Sequence, residues 1–232
     1  MSENIKKIMK AFMADLDSRE NQSIILKPST RPFNNQAHQV NEVAKKIYKL
    51  IEGTKHPNDD IILNHNEIKE AFFSPFEPQL KDAQVFLSHS HADKNKALKV
   101  KNYLESETNH RVFIDSLFWD YKDNVLNKLA KYDNTSKIED AFTLILRESL
   151  QDMIEKCPYF VFLKSKNSVS DQGLSHITYS AWIYEELKIA HSIRESRPTP
   201  MMESWQAFHD ISPFLENLET ITLKELSQQI NS

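Results

Sequence analysis

Three short runs constrain this chain more than anything else in it: Gln84–Ser88 (QVFLS), Arg111–Asp115 (RVFID) and Tyr159–Lys164 (YFVFLK). Each is apolar at consecutive positions and rich in β-forming residues, and helical spacing fills much of the sequence between them. A strand that is apolar throughout is buried on both faces, and such strands separated by helices build a parallel sheet wrapped on two sides, the doubly wound α/β architecture. Ligands of such sheets bind outside the carboxyl ends of the strands. Those ends are Ser88-His89-Ser90-His91, Asp115 to Trp119, and Ser165 to Ser168, and polar and aromatic residues crowd all three.

Glycine is nearly absent. Gly53 and Gly173 are the only two in 232 residues, so neither a P-loop nor a dinucleotide-binding fingerprint can be written in this chain. A nucleotide handled here is held in another way. The formal net charge of −4 gives no global attraction to nucleic acid or anionic lipid, although local basic patches stay open. Cys157 is the only cysteine, which excludes an intrachain disulfide and a Cys-based zinc cluster; its expected role is buried packing at a helix-to-strand junction.

The organisation reads as two parts. Ile5, Ile8, Met9, Phe12, Met13 and Leu16 recur at helical spacing, as do Val40, Val43, Ala44, Ile47, Tyr48 and Ile51, and Asn66–Phe73 forms a shorter helix before Pro75. Residues 1–80 are therefore expected to be a helical accessory or regulatory region, and residues 81–232 the α/β domain. Within the latter, helices are expected from about Lys94 to Glu105 and from about Asp140 to Glu155, with an aromatic loop at Phe118-Trp119-Asp120-Tyr121. Pro200-Met201-Met202 is the expected fourth strand and Glu219–Thr222 the fifth, followed by a terminal helix carrying Leu223, Leu226 and Ile230. No apolar run approaches the ~20 residues that span a bilayer, and the N-terminus has no apolar signal core, so no membrane association and a cytoplasmic location are expected.

The segment Tyr179–Leu187 carries the densest chemical signal. Ser180 suits an N-cap, Ile183, Leu187 and Ala190 form an inward stripe, and Trp182 and Glu186 lie one turn apart on an adjacent face. The pattern Ser-x-Trp-x-x-x-Glu-Leu, opening a helix after YFVFLKS, resembles the corresponding helix of Toll/interleukin-1 receptor (TIR) domains. VFLSHSHADK (Val85–Lys94) is similar to that family's first strand and loop, and RVFID to its second strand. Three motifs in the family's order cover roughly residues 82–195. The resemblance implies a flavodoxin-like sheet of about five parallel strands. The chain lacks the Pro-Gly loop of receptor and adaptor members and has a long insertion from Ser116 to Glu155, which points toward bacterial TIR-like proteins, many of them similar to NAD-processing defence effectors.

That resemblance implies an NAD glycohydrolase or cyclase, with NAD as substrate and no cofactor, activated by homo-oligomer or filament assembly or by a partner effector or sensor protein. Its catalytic residue falls at Glu186, with Trp182 as aromatic wall and Ser88, His89, Ser90, Asp115 and Trp119 around the nucleotide. Breaking the nicotinamide–ribose bond expels a neutral base, so no general acid is needed at the departing nitrogen, and a carboxylate beside the sugar stabilises the oxocarbenium charge that develops. The bland readings stand beside these. Glu186 can be a solvated carboxylate in the early turns of a helix, with Glu185 the alternative acid; Trp182 can be a core or lid aromatic; Ser88 to His91 can be a polar turn that caps the next helix. Trp119 can belong to a packing or self-association cluster, and Lys94, Lys96, Lys99 and Lys101 to a solvated face. No metal is expected, because His89 and His91 have no identifiable third ligand. Two rivals from other classes are a non-catalytic TIR–TIR interaction module and a nucleotide sensor.

Overall fold

The computed structural model describes residues 9–27, 40–53, 65–73, 82–130, 136–172, 175–195 and 209–232. Its main sheet has five strands, all parallel: β1 (Lys10–Asp15), β2 (Ala83–Ser88), β3 (Arg111–Ile114), β4 (Tyr159–Lys164) and, after three short strands of another sheet, β8 (Glu219–Thr220). They lie side by side in the order β3-β2-β4-β1-β8. The fold is thus α/β and flavodoxin-like. The expected first, second, third and fifth strands are all present.

The N-terminus departs from expectation. Helical spacing from Ile5 to Leu16 suggests an amphipathic helix, yet Lys10–Asp15 is an interior strand, in register with β4 from Lys10↔Tyr159 to Asp15↔Lys164 and with β8 at Phe12↔Glu219 and Met13↔Thr220. The physical reason is that a strand covered on both faces buries consecutive residues. Ala11 and Phe12 are both buried, as are Ala14 and Leu16, so a three-and-four spacing of large side chains carries no helical meaning here. In the flavodoxin-like order 2-1-3-4-5, the fourth place is filled from the chain's beginning. The strand expected at Pro200-Met201-Met202 lies outside the described residues.

Apolar register holds the sheet. Phe86 pairs with Phe113 on one side and Phe160 on the other, and its ring stacks on both at 5.8 Å between centroids. Each such fully buried ring contributes about 1.5–3 kcal/mol through apolar area removed from water. Three helices, α1 (Arg19–Ile25), α4 (Lys94–Thr108) and α9 (Leu223–Asn231), pack against one another. Buried Asn21 joins two of these elements to the sheet: its amide donates to the Asp15 carbonyl at 2.7 Å and accepts the Leu223 N–H at 2.8 Å. With so few glycines, the left-handed turn that ends α4 falls to Asn109, at φ 57°, a residue type that tolerates that region.

A small antiparallel sheet of β5 (Ser170–Gln172), β6 (Ser175–Thr178) and β7 (His209–Asp210) brackets helix α7 (Ala181–Glu195), which packs with β6 and with α8 (Ser212–Leu215). Strands of two to four residues are too short to leave a periodic signal, and none of the three is legible in the sequence.

The chain divides into two compact units. One comprises Met1–Pro32, Asp82–Asp115 and Gln151–Ser232 and contains the whole main sheet; the other comprises Phe33–Lys81 and Ser116–Leu150. In the second unit α2 (Val40–Gly53) packs on α3 (His65–Phe73) and on α5 (Ser116–Leu129), with Ala44, Ile47, Ile68 and Ala71 buried. The aromatic segment Phe118–Tyr121, expected as a loop, lies within α5, because the helix begins at Ser116 directly after the second strand's run. The long helix expected near Asp140–Glu155 is α6 (Ser136–Lys156). Among the described residues no helix is long and apolar enough to cross a membrane.

Candidate active site at the carboxyl ends of the strands

Ser88 is the last residue of β2 and Asp115 the first after β3, so parallel pairing brings both to the same end of the sheet. Glu186 arrives from the second turn of α7. Ser180 positions that helix: its hydroxyl accepts the Ile183 N–H at 3.3 Å, the expected N-cap. Ile183, Leu187 and Ala190 are buried as the inward stripe requires.

The Ser88 hydroxyl donates to Glu186 Oε2 at 2.5 Å, across 98 residues of sequence. Glu186 is 0% exposed. Its other oxygen, Oε1, accepts no hydrogen bond from a described N–H or O–H, and the Asp115 carboxyl group lies close enough to share one with Glu186. Burial pushes the Glu186 pKa up, the Asp115 charge and hydrogen bond push it further, and Ser88 opposes; the result stands well above the ordinary 4.5. That direction favours the neutral carboxyl group over the carboxylate at Glu186.

Asp115 meets an imidazole on its other side. His89 Nδ1 lies 2.9 Å from Asp115 Oδ1, and both side chains are buried. Burial opposes a charged imidazole, but Asp115, the Leu87 backbone and Asp93 together outweigh it and raise the His89 pKa above its ordinary 6.5. The cluster runs imidazole, carboxyl, carboxyl, hydroxyl: His89, Asp115, Glu186, Ser88. Four of the seven expected site residues are thus gathered in one place, with their polar atoms directed at one another.

The remaining three stand differently. Ser90 is half-buried and opens the 3-10 turn His91–Asp93, where its carbonyl accepts the Asp93 N–H at 2.8 Å. Trp182 is half-buried one turn before Glu186 on α7. Trp119 is in α5, and its side chain lies outside the described residues. The alternative acid, Glu185, is buried with Lys188, 3.6 Å from its Nζ. Lys96 and Lys101 are not a free basic face: Lys96 bonds Asp17 at 3.2 Å, and Lys101 bonds Glu105 and the Val112 carbonyl.

A second polar cluster had no counterpart in the sequence reading. Asp93 stands at the N-cap position of α4 but makes no side-chain cap there. Its carboxylate instead accepts from the Ser165 hydroxyl at 2.5 Å and the Asn167 amide at 2.9 Å, and pairs with Lys96 at 3.3 Å. Asp17 accepts the Lys166 N–H at 3.2 Å. The only sequence signal for this cluster was polar crowding at the strand ends. Among the described residues no group of three His, Cys, Asp or Glu side chains is placed to hold a metal ion.

Parallel sheet and polar strand ends define the class: an α/β protein with a buried acid pair at the carboxyl ends of its strands. No protein-family model matches the chain, and neither a curated protein nor a solved structure matches it.

Proposed function

We propose that this chain cleaves the nicotinamide–ribose bond of NAD, as a TIR-like NAD glycohydrolase or cyclase of bacterial immune defence that works in the cytoplasm and is activated by self-association. One observation carries the reading: Ser88 and Glu186, from two separate TIR-like motifs, meet in a single hydrogen bond at the carboxyl ends of the strands. In this reading the Glu186 carboxylate faces the ribose and stabilises the oxocarbenium charge as neutral nicotinamide departs. Trp182, one helical turn away and half-buried, offers an aromatic surface to the cationic pyridinium ring. Because Glu186 is fully buried, the reading requires it to be uncovered and to lose its proton before reaction. Self-association is the step that would do so.

Nicotinamide release from NAD at high protein concentration tests the proposal. Glu186→Gln, which keeps the side chain's shape, should lower turnover by about 100-fold or more. Equal turnover in the two proteins would remove Glu186 from the mechanism.

Complete burial of Glu186 favours a second reading, in which the cluster is a core polar network of a non-catalytic interaction module. That module associates with its own kind without consuming NAD, and Glu186→Gln leaves the association unchanged.

A further inference from the structure

Resting on that reading of the site, we propose that Asp115 is a positioning residue for Glu186: the two carboxyl groups hold one proton between them, with His89 as the cation beside Asp115. Glu186 then rests as a hydrogen-bond donor and becomes a carboxylate only when that proton leaves.

The geometry imposes this. Glu186 has two oxygens and one described hydroxyl donor, Ser88, at Oε2. Its remaining oxygen sits in a fully buried place beside another carboxyl group. Two buried carboxylates in contact repel strongly, and the arrangement that removes the repulsion while forming a hydrogen bond is a single shared proton. Which of the two acids keeps it is decided by what lies on the far sides. Asp115 has the His89 imidazole at 2.9 Å, which favours its anion strongly; Glu186 has only a neutral hydroxyl donor, which favours its anion far less. The proton therefore rests on Glu186 and is donated to Asp115.

Other charged groups near Glu186 leave that assignment intact. From the end of β2 come Ser88 and His89, from the end of β3 Asp115, and from the turn after β2 Asp93, whose charge acts on His89. On its own helix, Glu185 and Lys188 pair with each other.

Asp115 thus sets the acid–base state of Glu186 without needing to touch substrate. In the reaction, loss of the shared proton to solvent leaves Glu186 as the carboxylate that faces the oxocarbenium ion. No oxidant or further reactant is involved.

Carboxyl carbon NMR of the full chain labelled at the glutamate side-chain carboxyl carbon reads this directly and needs no substrate. The Glu186 resonance is the one missing from Glu186→Gln. It should stay at its protonated position well above pH 4.5, and in Asp115→Asn its titration should move to lower pH. His89→Gln should move it to higher pH, because without the cation the Asp115 charge opposes ionisation of Glu186 uncompensated. If Asp115→Asn fails to fold, the direction of the His89→Gln shift decides. A wild-type Glu186 that titrates near 4.5, or a His89→Gln shift to lower pH, overturns the proposal. Nicotinamide release followed in parallel separates the two claims. The expected titrations with no release leave the Asp115–Glu186 pairing standing and remove NAD cleavage; release with an ordinary Glu186 titration does the reverse.

Discussion

Two buried acids sit at the same end of one sheet, and they are treated in opposite ways. Asp93 is met by a hydroxyl, an amide and an ammonium group, from Ser165, Asn167 and Lys96. Glu186 is met by one hydroxyl and another carboxyl group. A carboxylate surrounded by donors ties loops together: Lys96 bridges Asp93 to Asp17 after β1, and Ser165 brings in the loop after β4. A carboxyl group facing its own kind carries a displaceable proton. Perturbed acids of this second kind are what a reaction site requires, whereas donor-rich acids are anchors.

The anchor side should show the largest structural effects. Removing residues 1–17 takes out an interior strand together with Asp17, and is expected to abolish cooperative unfolding in circular dichroism. A shortened chain that still melts cooperatively would restore the N-terminus to an accessory role. Next comes Asp93→Ala, which strands the Ser165 hydroxyl and the Asn167 amide and should cost about 3 kcal/mol in denaturant unfolding. Glu186→Gln should cost less than about 1 kcal/mol near neutral pH, since the amide can accept from Ser88 and donate to Asp115. A cost as large as that of Asp93→Ala would erase the contrast between the two acids.

The pH dependence sharpens the same comparison. Glu186 and His89 both have folded-state pKa values above their ordinary ones, so the native state holds these protons more tightly than the unfolded chain. Their stabilisation is complete below the ordinary values of 4.5 and 6.5 respectively, and is lost as pH rises through each raised value. Denaturant midpoints should therefore fall on the alkaline side, and Glu186→Gln should flatten that fall, leaving the His89 share. An unchanged slope would mean that Glu186 is not protonated in the native protein. The smallest effect concerns Cys157, a buried group outside either cluster, whose Sγ lies 3.8 Å from the Ala83 carbonyl and whose pKa burial pushes up to about 12. Native protein should react with a thiol reagent far more slowly than unfolded protein.

Much of the fold was legible because it depends on local pattern. The runs QVFLS, RVFID and YFVFLK became β2, β3 and β4, and the stripe of Ile183, Leu187 and Ala190 turned inward on α7. The terminal helix carries the capping box of Thr222 and Glu225, and its Leu223, Leu226 and Ile230 are buried. Lys10–Asp15 was not legible as a strand. A six-residue run buried on both faces has no period, and the large residues around it happened to match a helix. The site was half legible: strand ends marked Ser88, His89 and Asp115 as residues to watch, but not which of them would meet.

By itself, then, the sequence determined the class of sheet, the helix that presents Trp182 and Glu186, and the exclusion of glycine-built phosphate loops. All of these follow from residue type and spacing within about twenty positions. Tertiary structure decided that the chain's beginning supplies the sheet's missing fourth strand, and that Glu186 faces Asp115. Strand order and carboxyl pairing are contacts between residues far apart in sequence, 71 positions in the case of Asp115 and Glu186 counted from their numbers. Local pattern carries no record of which buried charge lies next to which, and that neighbour sets where the proton rests.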